Sequence, residues 1–243
     1  MTASQSGFES AADHVRWLRV LAQCMSGTVG DGCVIRLLSS GGWLTPVAVH
    51  LPFDELLANE SLAARIRAHV AAPHNLVEQG AARRIIETGE AVRVADLDRT
   101  QLEFAATPEI AEAYEAMRIH SLLLIALRRN EESIGLLAMV RFLPSSLPYN
   151  QHDQDIVQAI ADHATLAIHA ARDLGRDLRG AQTAGEGRDP RPSAQREPVL
   201  STAVAHELGV VTDLMQSYVR RVGGDPSVIQ ALSATARQML GTD

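Results

Sequence analysis

The sequence predicts an α+β fold, with a β-hairpin that leads into a long helix and an antiparallel helical hairpin at the end of the chain. Two apolar runs, Ser121–Leu127 and Ile134–Phe142, are joined by the polar turn Arg128–Ser133, which is the pattern of a β-hairpin. A long segment that begins at Gln151 has apolar residues at steps of three and four, which predicts a helix. Prolines and glycines in Arg179–Pro198 predict a linker before a second amphipathic segment.

Size and composition indicate a globular protein with an aliphatic core. The chain has 243 residues, of which 46% are hydrophobic and 4% aromatic. Its net charge of -7 argues against nucleic acid as the main partner, because phosphate binding needs a clustered basic face. No segment reaches the roughly 18 apolar residues of a membrane span, and the N-terminus lacks the pattern of a secretory signal. Cys24 and Cys33 have neither disulfide-framework nor zinc spacing. We therefore expect a protein of the bacterial cytoplasm that does not contact a membrane.

The elements before the hairpin follow from periodicity and turn residues. Residues 1–12 are expected to form a tail, and Asp13–Gly27 a helix with one apolar stripe. Gly89 is expected to end a helix at Gly80–Thr88 as its C-cap. The other predicted elements are strands at Cys33–Leu38, Trp43–His50 and Ala91–Ala95 and helices at Pro52–Ala71 and Glu109–Met117.

The C-terminal third is predicted to be helical on both sides of the linker. The helix from Gln151 to about Leu178 carries two apolar stripes, of which one covers the sheet and the other is available to a second helix. Residues 179–198 are predicted to be flexible. Val199–Asp243 is predicted to form a helical hairpin, with Asp225 as the N-cap of its second helix. A hairpin of this size buries little core alone, so we expect it to dimerise or to dock elsewhere.

The ordered elements from about residue 13 to residue 178 resemble a GAF domain, a bacterial module for sensing small molecules and for dimerisation. The resemblance implies a central antiparallel sheet with the first and last helices together on one face and a ligand pocket on the other. The segments that carry it are Ile86–Asp96, His120–Leu127, Ile134–Val140, Tyr149 and Ile156–Ile168.

The resemblance also implies where a ligand would bind. In the family the ligand sits between the sheet and the segment after the third strand, which here is Asp96–Met117. An alternative is that the aspartates of this segment cap turns and that its phenylalanine fills the core. The candidate pocket residues are Arg93, Asp96, Asp98, Arg99, Phe104, Met117 and His120.

The sequence identifies neither a ligand nor a cofactor. The pocket motif of members that bind cyclic nucleotides is matched only by Phe53–Glu55, which lies too far upstream. Bilin-binding members attach their chromophore through a pocket-loop cysteine, whereas both cysteines here precede that loop. Haem would need an axial histidine, for which His120 or His74 is the candidate. Many GAF domains serve only to dimerise.

His206 and Glu207, on the first predicted hairpin helix, resemble the H-box of sensor histidine kinases. The resemblance implies an exposed imidazole that attacks the γ-phosphate of ATP, oriented or deprotonated by the acid. Gly209–Val211 departs from the polar stretch that usually follows the H-box, and the chain carries no ATP-binding domain. The alternative is a surface histidine on a dimerisation helix.

The sequence thus predicts a GAF sensor that does no chemistry of its own. We expect a homodimer formed through Asp13–Met25, Ile156–Leu178 and the C-terminal hairpin, with a kinase or a response regulator as a further partner. A second hypothesis is a histidine kinase fragment with His206 as phosphoacceptor. A third is an enzyme that uses the pocket, which has the least support because no nucleophile–base pair, metal set or phosphate loop is visible.

Overall fold

The computed structural model describes residues 3–52, 60–76, 80–97, 111, 115–142, 147–184, 196–222, 227, 229, 230, 233 and 234. The helices are α1 (Ala3–Thr28), α2 (Glu60–Ala71), α3 (Gly80–Thr88), α4 (Gln151–Ala184) and α5 (Arg196–Val222). The strands are β1 (Gly32–Leu38), β2 (Trp43–His50), β3 (His74–Asn75), β4 (Val92–Val94), β5 (Ile119–Arg129) and β6 (Glu132–Phe142). They form one sheet in the order β3-β2-β1-β6-β5-β4, in which neighbouring strands are antiparallel.

The predicted antiparallel sheet and its central hairpin are confirmed, although the hairpin turn is shorter than the polar segment suggested. The ladder continues to the pair Arg129 and Glu132, which leaves a two-residue turn. Asn130 in that turn has a φ of 55°, a left-handed conformation that asparagine tolerates well. The polar residues Arg128, Arg129, Glu132 and Ser133 are therefore part of the strands, because a polar side chain at an exposed position does not prevent the backbone from pairing.

Three helices extend beyond the bounds that the sequence predicted. The backbone of α1 begins at Ala3, so the predicted tail of residues 1–12 is mostly helical. Helix α4 continues to Ala184 and enters the predicted linker, and α5 already begins at Arg196. The first proline of that linker is Pro190, and a helical glycine such as Gly180 costs only about 1 kcal/mol relative to alanine. Among the described residues, no helix is long and apolar enough to cross a membrane.

The bounds of α3 were predicted correctly from its sequence and the glycine that follows it. The helix ends at Thr88, and Gly89 follows with a φ of 74°, which confirms the predicted C-cap. The amide of Gly89 donates to the carbonyl of Ile85 over 2.8 Å. In contrast, α2 is described only from Glu60, and residues 53–59 of the predicted helix lie outside the described residues.

The two faces of the sheet carry different helices. Helices α1, α4 and α5 contribute to one large apolar cluster with alternate residues of β1, β5 and β6, such as Ile35, Leu123 and Leu137. Helices α2 and α3 lie on the other face, where two smaller clusters include Ile66 and Ile85. We call these the helix face and the cavity face.

Helix α5 lies antiparallel to α4. The phenol of Tyr218 donates to a carboxylate oxygen of Asp153 over 3.1 Å, whereas Glu207 meets His163 ten residues further along α4. Val211 and Met215, predicted for the apolar stripe of this helix, are fully buried. Most of the second predicted hairpin helix lies outside the described residues, but Ile229 belongs to the same core cluster.

The sequence did not say which of the two α4 stripes would be available to another helix, and members of both are buried within this chain. Val157, Ala161 and Ile168 of one stripe are 0%, 0% and 5% exposed, and Ile160 and Ala164 of the other are 0% and 1% exposed. Helix α4 contacts β5, α1 and α5. Tertiary packing within one chain therefore covers a surface that the periodicity alone could have assigned to a partner chain.

Candidate functional site

A cavity of about 190 Å³ opens on the cavity face of the sheet. Strands β1, β5 and β6 supply its floor, and α2, α3 and the segment around Met117 supply its walls. Because side chains alternate along a strand, Leu122 and Leu124 point into this space while Leu123 points to the helix face. Apolar lining residues include Val34, Leu44, Met117, Ile119, Leu124 and Leu136.

Arg36 forms the charged part of the cavity wall. It belongs to β1 and is 7% exposed. Its Nη1 donates to the carbonyl of Ala72 over 2.8 Å, and its Nη2 donates to the carbonyl of Val70 over 2.7 Å. These carbonyls lie at the C-terminal end of α2, where helix carbonyls lack intrahelical partners and carry the negative end of the helix dipole. Arg36 therefore fastens α2 to the sheet while keeping its guanidinium at the cavity.

Two imidazoles lie beside this guanidinium. The rings of His69 and His74 have centroids 4.5 Å apart, and Nε2 of His74 lies 3.0 Å from the carbonyl oxygen of His69. That distance makes Nε2 of His74 the protonated nitrogen, because a carbonyl oxygen only accepts. Burial, helped by His74 and Arg36, lowers the pKa of His69 to about 4. Burial and Arg36 also lower the pKa of His74, so both rings are neutral at pH 7.

Among the candidates named from the sequence, Met117 lines the cavity and is 2% exposed. Asp96 is exposed, although its neighbour Leu97 lines the cavity and donates its amide to the carbonyl of His120 over 2.7 Å. Asp98, Arg99 and Phe104 lie outside the described residues.

The other two candidates lie away from the cavity. Arg93 is exposed on β4, where its guanidinium donates to the side chain of Gln154 and to the carbonyl of Tyr149 at the start of α4. It therefore joins the edge of the sheet to a helix. His120 is 6% exposed, but it is not among the residues that line the cavity, and its Nε2 has no hydrogen-bond partner in the described part of the chain.

At the polar end of the cavity, sequence reasoning named His74 as a possible haem ligand but missed Arg36 and His69. Arg36 interrupts the apolar strand sequence GCVIRLL, and a charged residue within a strand that is otherwise apolar is a signal that the sequence carries. His69 and His74 offered a weaker signal, because they lie on different elements and five residues apart. Only the fold brings them to Arg36.

A second buried polar cluster holds the helix face together. Asn150 and Asp153 form a reciprocal cap at the start of α4, with each backbone amide donating to the other side chain over 3.0 and 3.1 Å. Arg141 forms an ion pair with Asp153 over 3.2 Å, and its guanidinium lies 4.2 Å from the centre of the Tyr149 ring. Tyr218 of α5 donates to the same carboxylate. This cluster attaches α5 to α4 and offers no open site.

The proposed phosphoacceptor region is described on α5. His206 is exposed, as phosphoryl transfer would require. A carboxylate oxygen of Glu207 lies 2.6 Å from Nδ1 of His163 on α4, so this acid is engaged across the helix pair. His206 is therefore accessible to another protein, whereas the Glu207 carboxylate contacts His163.

The described residues show neither a metal centre nor a reactive thiol. No group of three or more possible metal ligands occurs among them. Cys24 and Cys33 are both buried, and burial raises the pKa of the Cys33 thiol.

Comparisons with known proteins agree with this architecture. The model of the GAF domain family matches residues 16–168. No curated protein matches the chain in sequence. Among solved structures, the blue-light absorbing form of the Thermosynechococcus elongatus PixJ GAF domain is 11% identical with a TM-score of 0.51, over 72% of this chain and 96% of that chain.

Two further structures are similar at lower TM-scores. The second GAF domain of DevS from Mycobacterium smegmatis is 17% identical with a TM-score of 0.46, over 67% of this chain and 98% of that one. A GAF domain/HD domain protein from Geobacter sulfurreducens is 15% identical with a TM-score of 0.48, over 69% of this chain and 94% of that chain. At such identities the likeness concerns the fold. The match of the family model to residues 16–168, more than half of the chain, shows that this protein belongs to the GAF domain family, whose members are signalling sensor domains.

Proposed function

We propose that this chain is the sensor part of a bacterial signalling pathway and that the cavity is its ligand site. The observation that carries the proposal is the cavity itself, since about 190 Å³ of space remains on one face of the sheet, with one charged corner. Ligand sites are typically concave and mostly apolar, with a few convergent polar groups that fix orientation. The lining around Arg36 matches that description.

The strands that line the cavity also provide a route for a signal. Leu124 of β5 faces the ligand space, while its neighbour Leu123 packs in the cluster shared with α1, α4 and α5. A ligand that shifts β5 therefore changes packing under α4, and α4 is joined to α5 through Asp153 and Tyr218. We expect ligand binding to be read out as a change in the α4–α5 pair.

Native mass spectrometry of freshly purified protein, followed by thermal-shift screening of small molecules, tests the ligand site. The variant Ala138→Phe places a ring in the cavity, and Ala64→Phe adds the same ring at an exposed position of α2. Binding should be lost in Ala138→Phe and kept in Ala64→Phe. If no molecule is retained or detected by the screen, or if both variants bind alike, the proposal fails.

Hydrogen exchange tests the relay separately. Ligand addition should change the exchange of α4 amides near Asp153 and of α5 amides near Tyr218, although these lie on the opposite face of the sheet. Exchange changes confined to α2, α3 and the cavity strands would support binding and contradict the relay.

The exposed imidazole of His206 supports phosphoacceptor activity as a second candidate function. Incubation with ATP and the ATP-binding domain of a histidine kinase should then label the chain. Label should disappear in His206→Gln and persist in His152→Gln, since His152 is an exposed histidine of α4 and serves as the matched control. Equal labelling of the two variants would assign the phosphate to another residue.

Homodimer formation through α1, α4 and the C-terminal hairpin is also a proposal, as is a kinase or response-regulator partner. Because α5 covers α4 within the chain, a partner chain has to use the remaining exposed residues of α1 and α4, such as Arg19 and Asp162, or displace α5. Light scattering at micromolar concentration measures the oligomeric state. A monomer would exclude the dimer under those conditions.

A further inference from the structure

The described lining of the cavity is mostly apolar. Fourteen of its seventeen residues have aliphatic or thioether side chains, among them Leu124 of β5 and Met117. The three polar residues of the described lining are Arg36, His69 and His74. The kind of molecule that the cavity can recognise therefore depends on whether the protein already uses the hydrogen-bonding groups of these three side chains.

The guanidinium of Arg36 is engaged by backbone carbonyls. Its Nη2 donates to the carbonyl of Val70 over 2.7 Å, and its Nη1 donates to the carbonyl of Ala72 over 2.8 Å and, over 3.4 Å, to that of Leu44. Arg36 also interacts with further groups of the chain. A ligand oxygen that took one of these donors would leave a buried carbonyl without its partner, which offsets much of the gain from the new bond. Arg36 therefore serves the attachment of α2 and offers an anion little net stabilisation.

The two imidazoles add no charge to the cavity. Burial, helped by Arg36, lowers the pKa values of His69 and His74, so both rings are neutral at pH 7. A neutral imidazole has a single N–H, and His74 directs it from Nε2 to the carbonyl of His69, which lies 3.0 Å away. The His69 ring lies beside the His74 ring and interacts with further groups of the chain. Neither ring therefore provides a charge that would select a charged ligand.

The volume of the cavity limits the size of its ligand. An apolar protein cavity of about 150 Å³ stays dry and binds benzene. The cavity here measures about 190 Å³, which leaves room for one ring with a short side chain. Moving such a hydrocarbon from water into an apolar space is favourable, whereas a charged group would give up its hydration and find its possible partners already bonded.

We propose that the cavity binds a small uncharged apolar molecule, such as a single ring with a short side chain. The hydrocarbon body of the ligand contacts Leu124, Met117 and Ala138, and Arg36 keeps its bonds to the carbonyls of α2. This rests on the proposed sensor function and specifies the chemical class of its ligand.

Four ligands of similar size test this on the unmodified protein: ethylbenzene, benzyl alcohol, benzylammonium and benzoate, which are an apolar molecule, a neutral alcohol, a cation and an anion. Calorimetry or ligand-observed NMR at pH 7 measures their dissociation constants. We expect ethylbenzene to bind at least about tenfold more tightly than benzyl alcohol, because the hydroxyl loses its hydrogen bonds to water. Benzylammonium and benzoate should not bind measurably, because burial of a charge costs more than burial of a hydroxyl.

A matched pair of substitutions locates the binding. Ala138→Phe fills the cavity and should abolish ethylbenzene binding, whereas Ala64→Phe adds the same ring at an exposed position of α2 and should leave it unchanged. Circular dichroism and thermal melting must first show that both variants fold. Should Ala138→Phe not fold, the comparison of the four ligands still decides, since it uses no variant. Ethylbenzene binding that persists in a folded Ala138→Phe would lie outside the cavity and would overturn the inference.

The outcomes separate this inference from the sensor function on which it rests. If benzyl alcohol, benzylammonium or benzoate binds as tightly as ethylbenzene, the apolar class is wrong and the ligand site stands. If ethylbenzene does not bind while native mass spectrometry or screening finds a polar or charged ligand, the inference is again overturned alone. If none of the four binds and neither method finds a ligand, the sensor function fails as well.

Discussion

On the helix face, side chains of β1, β5 and β6 join α1, α4 and α5 in a single large cluster, whereas on the cavity face α2 and α3 contribute to two smaller clusters that share a cavity. On the helix face, Arg141 and Asp153 form a buried ion pair, and Asp153 also accepts a hydrogen bond from the phenol of Tyr218. The buried cation on the cavity face, Arg36, borders open volume. One side of the sheet is thus filled by a continuous apolar cluster, and the other keeps a cavity bordered by a buried cation.

The largest effect should come from a matched pair of substitutions that tests this difference. Leu123 and Leu124 are adjacent on β5, face opposite sides and are 0% and 9% exposed. Leu123→Ala should lower the free energy of unfolding by about 3–5 kcal/mol, because it opens a hole in a filled cluster. Leu124→Ala should lower it by only about 2 kcal/mol, at the low end for this substitution, because that side chain already borders empty space. Urea denaturation measures both, and equal losses would contradict the distinction between the faces.

The contact between β6 and β1 gives the next largest effect. A Cβ added to Gly135 would overlap the backbone oxygen of Arg36, so the backbone would have to shift. Gly135→Ala should therefore destabilise the protein by about 1–3 kcal/mol. Gly80→Ala is the control, since nothing lies within 4 Å of a Cβ built there. A melting temperature equal to that of Gly80→Ala would refute the steric argument.

Removing the α5 contact should have a smaller effect. Tyr218→Phe deletes the hydrogen bond to Asp153 and should lower stability by about 1 kcal/mol at pH 7, measured by denaturation against the exposed-site control Ser217→Ala. Burial, with Asp153, raises the pKa of Tyr218 from 10.0 to about 12. The stabilising contribution of the neutral phenol is thus full below pH 10 and is lost as the pH rises through 12. This loss should be absent in Tyr218→Phe, and its persistence there would assign it to another group.

The smallest effect at neutral pH concerns the cavity histidines. The pKa of His69 is lowered from 6.5 to about 4, so its neutral form contributes stability that is present above pH 6.5 and lost as the pH falls through 4. His69→Gln should therefore behave like the parent protein at pH 7 and lose less stability on acidification. Thermal melts between pH 7 and pH 4 measure the slope of melting temperature against pH. A slope as steep as that of Ala64→Gln, the exposed control on α2, would contradict the assignment.

Much of the fold was predictable because its signals are local. Strand β2 and helix α3 have the bounds predicted from turn residues and periodicity, and Gly89 adopts the left-handed conformation that its position indicated. The ends of α1 and α4 were not predictable, since a helix without proline continues until its packing ends.

The site was predictable only in part. Met117 lines the cavity, but Arg93 turned out to bind the start of α4, because a strand edge presents its residues to whichever element lies next to it. Arg36, which sequence reasoning passed over, is the cation of the cavity.

The sequence by itself determined the antiparallel hairpin and the order of the elements, since alternation, helical periodicity and turn residues act over a few neighbouring positions. Its match to the family model also determined membership of the GAF domain family. Only the tertiary structure decided which face of the sheet stays open, that α5 covers α4 within the chain, and that Arg36, His69 and His74 meet. Those three residues lie on separate elements, β1, the end of α2 and β3. Their proximity depends on how α2 closes over the sheet, which no local pattern encodes.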